Sequence, residues 1–166
     1  MARPPLPWPP VPRRRPDAPE APHYVPLQNA GLGYYSYSSP DRQYGTEQTV
    51  HTLESLARLW VMFTIGDGPS YPLGIGDMSF ADGRHMDPHH AHTDGRCADI
   101  RPVRKDRRHL PITIFDAVYD REETERLVNL FRSNPNVQAI LFNDTSIAGV
   151  RQWAGHDNHL HVHFRR

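Results

Sequence analysis

The sequence predicts a single α+β domain, in which a small, mainly antiparallel sheet is flanked by two helices near residues 46–63 and 121–133. Three observations lead to this class. Two segments repeat apolar residues at helical spacing, several short apolar segments lie between turn residues as buried strands do, and the last segment alternates strictly between apolar residues and histidines. A chain of 166 residues is long enough for one such domain with a substantial core.

A proline-rich segment comes first, and we interpret residues 1–26 as a tail or linker and residues 27–166 as the domain. Ten of the 17 prolines lie between Pro4 and Pro26. Proline lacks a backbone amide donor and favours an extended chain, so this composition opposes both helix and sheet. No continuous apolar stretch accompanies the arginines at positions 3 and 13–15, so we expect no signal peptide there.

Each predicted helix follows a residue that can cap its first turn. Thr46 precedes the first helix, which continues to about Phe63. Its apolar stripe consists of Val50, Leu53, Ala57 and Trp60. Asp120 precedes the second helix and forms a capping-box pattern with Glu123. The buried face of this second helix is predicted to contain Leu127, Val128 and Phe131.

Four segments are predicted to form the strands around a site. One lies near Leu73–Phe80, another follows the turn at Gly95, and a third, Val137–Phe142, is short, apolar and bounded by asparagines. The fourth, Asn158–Phe164, alternates. Its apolar residues are predicted to face the core, and the histidines at 159, 161 and 163 to face the opposite side.

Eleven histidines are present, and eight of them form two clusters, one from His85 to His92 and one from His156 to His163. In the strand after Gly95, alternation turns Ala98 and Ile100 towards the core and Cys97 and Asp99 to the other side. If that side faces the terminal strand, the two clusters come together.

The clusters then predict a metal site made by His92, Asp99 and His161. Two imidazoles and one carboxylate leave the fourth position of a tetrahedral zinc ion open to water, as in catalytic zinc sites. A closed structural zinc site with four protein ligands and a metal-free polar face are the alternatives. Cys97 is the only cysteine, which excludes an internal disulfide and a zinc site based on several cysteines. It could be an oxidation-sensitive residue or an additional ligand.

The charge balance gives no reason to expect nucleic acid as a partner. Lysine plus arginine and aspartate plus glutamate both number 19, so no basic excess is available to neutralise phosphates. No apolar run approaches the roughly 20 residues of a membrane-spanning helix, so we expect no transmembrane segment. We take a monomer as the default oligomeric state.

The candidate ligands resemble the signature of the LAS metallopeptidases, the group of lysostaphin-type enzymes, D-Ala-D-Ala peptidases and the hedgehog signalling domain. The signature is a histidine, six residues, an aspartate and a distant His-x-His, here His92, Asp99 and the segment 159–161. Within that group the chain is most similar to the penicillin-insensitive murein endopeptidases, through His89 and the run WAGHDNHLHV at 153–162. The stretch Gly76-Asp77-Met78-Ser79 also resembles that family, and the similarity covers roughly residues 31–164.

This resemblance implies a LAS or hedgehog-type fold and one zinc ion per chain on the three ligands named above. The ion would hold a water, lower its pKa and polarise the scissile carbonyl. His159 would be the general base, and His89 would stabilise the oxyanion or protonate the leaving amine. His156 would lie behind the ligands or contact the substrate. The expected bystanders are His85, His90 and His163.

The substrate implied by the resemblance is the peptidoglycan cross-link between D-Ala and meso-diaminopimelate. Its hydrolysis would make the chain a murein DD-endopeptidase that acts in the periplasm or cell wall. The free carboxylates of the substrate would bind cations, and the candidates are Arg42, Arg84, Arg96 and Arg101.

Other functions would use the same metal-binding residues. A D,D- or L,D-carboxypeptidase that trims stem peptides would have the same zinc site, and a hedgehog-type module would hold zinc without catalysis. Non-heme iron oxygenases also use two histidines and a carboxylate, but their His-x-Asp spacing is absent. The biological setting is either a mature exported enzyme or a phage lysin that is made in the cytoplasm and released by a holin.

Overall fold

The computed structural model describes residues 23–67 and 71–166, so most of the predicted tail lies outside the described residues. The last residues of the predicted tail, 23–26, are described. Strand β1 (Val25–Pro26) pairs antiparallel with β4 (Tyr44–Gly45), in a register that joins Val25 to Gly45 and Pro26 to Tyr44. The end of the segment predicted as a tail therefore packs against the domain.

Besides two short 3-10 helices, Pro40–Arg42 and Ile65–Asp67, the described structure contains two α-helices and a six-stranded sheet. The helices are α1 (Glu47–Thr64) and α2 (Arg121–Ser133). The sheet contains β2 (Ala30–Gly31), β3 (Tyr34–Ser36), β5 (Leu73–Ile75), β6 (Cys97–Ile100), β7 (Val137–Leu141) and β8 (Leu160–Phe164).

The strand order in this sheet is β2-β3-β5-β6-β8-β7, and every neighbouring pair except β3 and β5 is antiparallel. The predicted class, α+β with a mainly antiparallel sheet, is confirmed at this level. The two strands predicted to carry the site, β6 and β8, are adjacent.

The caps of both helices agree with the prediction. The hydroxyl of Thr46 accepts a hydrogen bond from the Thr49 amide, and the carboxylate of Asp120 accepts one from the Glu123 amide. Each bond satisfies one of the amides that the first turn of a helix leaves without a partner. The predicted apolar faces of both helices are buried in one core.

That core covers one of the two faces of the sheet. Ala98 and Ile100 of β6, with Leu160, Val162 and Phe164 of β8, belong to the same apolar cluster as the helix residues. Successive side chains of a strand point to opposite faces. The face opposite the core therefore carries Cys97, Asp99, His161 and His163.

The strand predicted near Leu73–Phe80 is shorter than expected. Only Leu73–Ile75 forms β5, and the chain leaves β6 altogether at Met78. The Gly76 amide still donates to the Asp99 carbonyl, at 2.7 Å, whereas the Met78 amide donates to the carbonyl of Arg42. After this change of partner, residues 77–79 pass beside the two histidines His89 and His92. In the described part of the chain, neither helix is long and apolar enough to cross a membrane.

Candidate metal centre

The three predicted ligands come from two strands and one loop. Asp99 on β6 lies directly opposite His161 on β8 in the ladder register. His92 lies in the loop before β6, which turns at Gly95 with a φ of 66°. Glycine adopts this conformation without steric cost, and a Cβ at this position would lie 2.9 Å from the Thr46 amide nitrogen.

The donor atoms of these side chains converge on one point. His161 Nδ1 lies 2.8 Å from Asp99 Oδ1 and 3.1 Å from His92 Nε2, and His92 Nε2 lies 3.3 Å from Asp99 Oδ1. Two ligands bound tetrahedrally at about 2.0–2.2 Å from zinc lie about 3.3–3.6 Å apart. Small side-chain rotations are therefore enough for these atoms to hold a metal ion.

The orientation of His92 suits ligation. Its Nδ1 lies 2.5 Å from the carbonyl oxygen of Met78, to which it can only donate. Nε2 then keeps its lone pair and faces Asp99 and His161. Histidines that bind metals commonly donate their second ring N–H to a carbonyl or carboxylate in this way.

The candidate ligands are buried, with exposed fractions of 1% for His92, 5% for Asp99 and 3% for His161. Burial by itself would raise the pKa of Asp99, but the interactions of its carboxylate with the His161 and His92 rings outweigh burial and hold this pKa well below its usual range. Burial also lowers the pKa of His161. An ionised aspartate and a neutral histidine are the forms in which these side chains bind a metal ion.

His159 reaches the same site from the start of β8. Its Nε2 lies 3.6 Å from Asp99 Oδ1, and its Nδ1 is 2.7 Å from the side-chain oxygen of Asn158. Burial lowers the pKa of His159 to about 4, against an opposing effect of Asp99. The imidazole is consequently neutral at pH 7 and can accept a proton.

His89 is held beside the ligands by Asp77, a residue to which the sequence analysis gave no role. His89 Nε2 donates to Asp77 Oδ2 at 3.0 Å, and this hydrogen bond raises the pKa of His89. The Asp77 carboxylate also pairs with Arg42 at 3.2 Å and accepts a hydrogen bond from Ser38. The resemblance of the stretch Gly76–Ser79 was the available signal for Asp77.

Further imidazoles surround the site. The ring centroid of His156 lies 4.7 Å from that of His159, and its Nδ1 donates to backbone carbonyls of the loop before β8. His163 lies two residues after His161 on the same face of β8, opposite Cys97. In the described part of the chain, donor atoms of other combinations of these residues also lie close enough together for a metal ion: His89, His92 and Asp99; His156, His159 and His161; and Cys97, His161 and His163.

Two grooves meet at this site. The first has a volume of 560 Å³ and polar walls that include Ser39, Arg101 and Asn158, and it reaches Asp99. The second has a volume of 690 Å³ and a wall that includes Trp153, which is 63% exposed, and it reaches His92 and His161. His89 and His159 line both grooves, so these two imidazoles stand where the grooves join.

Of the candidate arginines, Arg42 and Arg101 line the first groove. Arg42 pairs with Asp77, whereas Arg101 stacks on Tyr37 with its guanidinium carbon 3.9 Å from the ring centroid. Arg84 pairs with Asp82 and Arg96 with Asp94, and neither arginine lines either groove in the described structure.

No protein-family model matches the chain, and no curated protein matches it either. The comparisons therefore do not identify a family for the chain.

Proposed function

We propose that the chain is a zinc-dependent peptidoglycan hydrolase that cleaves the D-Ala–meso-diaminopimelate cross-link. The observation that carries this proposal is the convergence of His92 Nε2, His161 Nδ1 and Asp99 Oδ1 at the junction of two grooves. Three buried donors with open space beside them are typical of catalytic zinc sites, whereas structural sites are closed by a fourth protein ligand.

Zinc held by these side chains would act as a Lewis acid that makes a water molecule more acidic and polarises a carbonyl group. His159 would accept the proton of the attacking water at Nε2, the ring nitrogen that faces Asp99. His89 would donate a hydrogen bond to the developing oxyanion or a proton to the leaving amine. Its raised pKa favours the protonated form, which both tasks need.

The two grooves favour cleavage within an extended peptide over removal of a terminal residue. An endopeptidase must hold chain on both sides of the scissile bond, and here one groove lies on each side of His159. The polar groove suits the carboxylate of diaminopimelate or D-Ala, because the Arg101 guanidinium has no carboxylate within ion-pair distance in the described structure.

The test is mass spectrometry of muropeptides after digestion of cross-linked, diaminopimelate-type peptidoglycan. The zinc-loaded full chain is compared with the chelated chain and with Asp99→Asn, which removes one ligand charge without changing the side-chain shape. Conversion of dimers to monomers by the zinc-loaded chain alone is the expected result.

Other results point to the alternatives. Loss of a terminal D-Ala with intact dimers would assign a D,D- or L,D-carboxypeptidase to the same site. Tight zinc binding with no change in any muropeptide would refute the hydrolase and leave a zinc-containing binding module of the hedgehog type.

A further inference from the structure

We propose that Cys97, His163 and His161 form a second metal site, for a thiophilic ion such as Zn²⁺, Cd²⁺ or Cu⁺, beside the site described above. The two sites follow each other along the ladder between β6 and β8. Asp99 and His161 face each other at one position, and Cys97 and His163 face each other two residues away on the same face of the sheet.

The spacing of Cys97 and His163 suits ligation of a common ion. Cys97 Sγ lies 3.4 Å from His163 Nδ1. In a tetrahedral zinc site, with sulfur at about 2.3 Å and nitrogen at about 2.0 Å from the ion, these two ligand atoms lie about 3.5 Å apart. The sulfur is buried and the imidazole is partly exposed, so His163 can rotate towards an ion without disturbing the core.

His161 provides an independent observation. It is 3% exposed, and its Nε2 is buried without a hydrogen-bond partner in the described structure. A buried polar atom without a partner is rare in folded proteins, and a bound metal ion would satisfy this nitrogen. A ring nitrogen of His161 lies within 4.8 Å of donor atoms of both Cys97 and His163, and the His161 and His163 ring centroids are 4.6 Å apart.

The donor set decides which metal the site takes. One thiolate and two imidazoles favour softer ions than the site that contains Asp99. The thiol of Cys97 must lose its proton when the ion binds. His161 and His163 also line the groove that contains Trp153, which gives the ion a path from solvent and leaves room for a water as the fourth ligand.

His161 connects the two sites, because its Nδ1 faces Asp99 and His92 while Nε2 remains free. With both sites filled, its ring would bridge two ions as an imidazolate, and its remaining N–H proton would be released to solvent when the second ion binds. Loading of the second site then changes the ligand environment of the first.

The test is a titration of the metal-free full chain with Cd²⁺, followed by the ultraviolet charge-transfer absorption of cadmium bound to thiolate. The wild-type chain is expected to bind two equivalents, one of which produces this absorption. Cys97→Ser is expected to bind one equivalent without the absorption. His163→Gln serves as a second variant that leaves the thiol in place and is expected to lose the same equivalent.

A third variant separates this site from the first. Asp99→Asn is expected to keep the thiolate absorption, so that failure of the hydrolase proposal does not affect the result. Circular dichroism of each variant checks that it is folded. One bound equivalent without thiolate absorption in the wild-type chain would overturn the proposal, as would two equivalents bound by folded Cys97→Ser.

Discussion

At the residue scale, the imidazoles around Asp99 are not equivalent. His92 and His161 are buried and direct a ring nitrogen at each other and at the Asp99 carboxylate, within 3.3 Å. His159 is more exposed, lies 3.6 Å from the same carboxylate and borders both grooves. These different environments support the proposal that the first two histidines bind the metal ion and that the third accepts a proton.

The first prediction separates these two roles. His161→Ala should lose both metal binding and hydrolysis, because it removes a ligand. His159→Ala should retain the bound metal and lose about 100-fold or more in turnover, the usual contribution of a general base. Metal content and muropeptide release are measured on the same samples, with His51→Ala, an exposed residue of α1, as the control. A fully active His159→Ala would exclude this residue as the base.

A second prediction concerns Arg101. If its guanidinium binds a substrate carboxylate, Arg101→Ala should raise KM by about 10-fold or more with little change in kcat, since a hydrogen bond to a charged group contributes about 1.5–3 kcal/mol. Arg108→Ala, which changes an exposed arginine outside the described groove, is the matched control. Equal KM values for the two variants would show that Arg101 does not contact the substrate.

At the scale of elements, the sequence was informative wherever structure is determined locally. The caps Thr46 and Asp120 define where both helices begin, because each supplies an acceptor to an otherwise unpaired amide. The alternation in β8 determines which side chains face the core and which face the site. The strand after Gly95, with Asp99 turned away from the core, was predictable for the same reason.

Features that depend on distant partners were not predicted. The pairing of β1 with β4 places residues 25 and 26 in the fold, although their proline-rich context indicated a tail. The early end of β5 accompanies a change of hydrogen-bond partner at Met78, whose amide donates to Arg42, more than 30 residues earlier in the chain. The role of Asp77 depends on the same change, since only the folded chain brings it to His89.

The cap of α2 provides a quantitative test at this scale. Asp120→Ala should lower the free energy of unfolding by about 1 kcal/mol, because the Glu123 amide loses its acceptor. Glu122→Ala, in the same helical turn but exposed and without a capping bond, should have a smaller effect. The measurement is urea denaturation followed by circular dichroism. Equal effects of the two substitutions would show that the cap contributes nothing specific.

At the scale of the whole molecule, one face of the sheet packs into the core and the other carries the candidate metal centre. The helices cover the first face and the clustered imidazoles occupy the second. Stability can therefore be examined separately from the site, and the carboxylate of Asp144 is suitable because it is buried and its side-chain partners include Tyr119 and Arg121, neither of which is a candidate ligand.

Protonation of Asp144 is expected to cause part of the loss of stability at acidic pH. Burial would raise its pKa, but hydrogen bonds from Ser146, Arg121 and Tyr119 outweigh burial and lower the pKa of this carboxyl. A pKa that is lower in the folded state gives stability that is present above the unfolded value, about 3.9, and is lost as the pH falls through the folded value. The difference in unfolding free energy between wild type and Asp144→Asn should therefore be larger at pH 7 than at pH 3. A difference that does not change with pH would contradict this assignment.

The central claim is that His92, Asp99 and His161 hold one zinc ion and leave a position free for water. Anomalous scattering at the zinc absorption edge, from crystals of the full chain with one equivalent of zinc, tests it most directly. The account predicts a single peak about 2.0–2.2 Å from His92 Nε2, His161 Nδ1 and an Asp99 oxygen, with no fourth side chain bound. A peak elsewhere, or one closed by a fourth protein ligand, would contradict it.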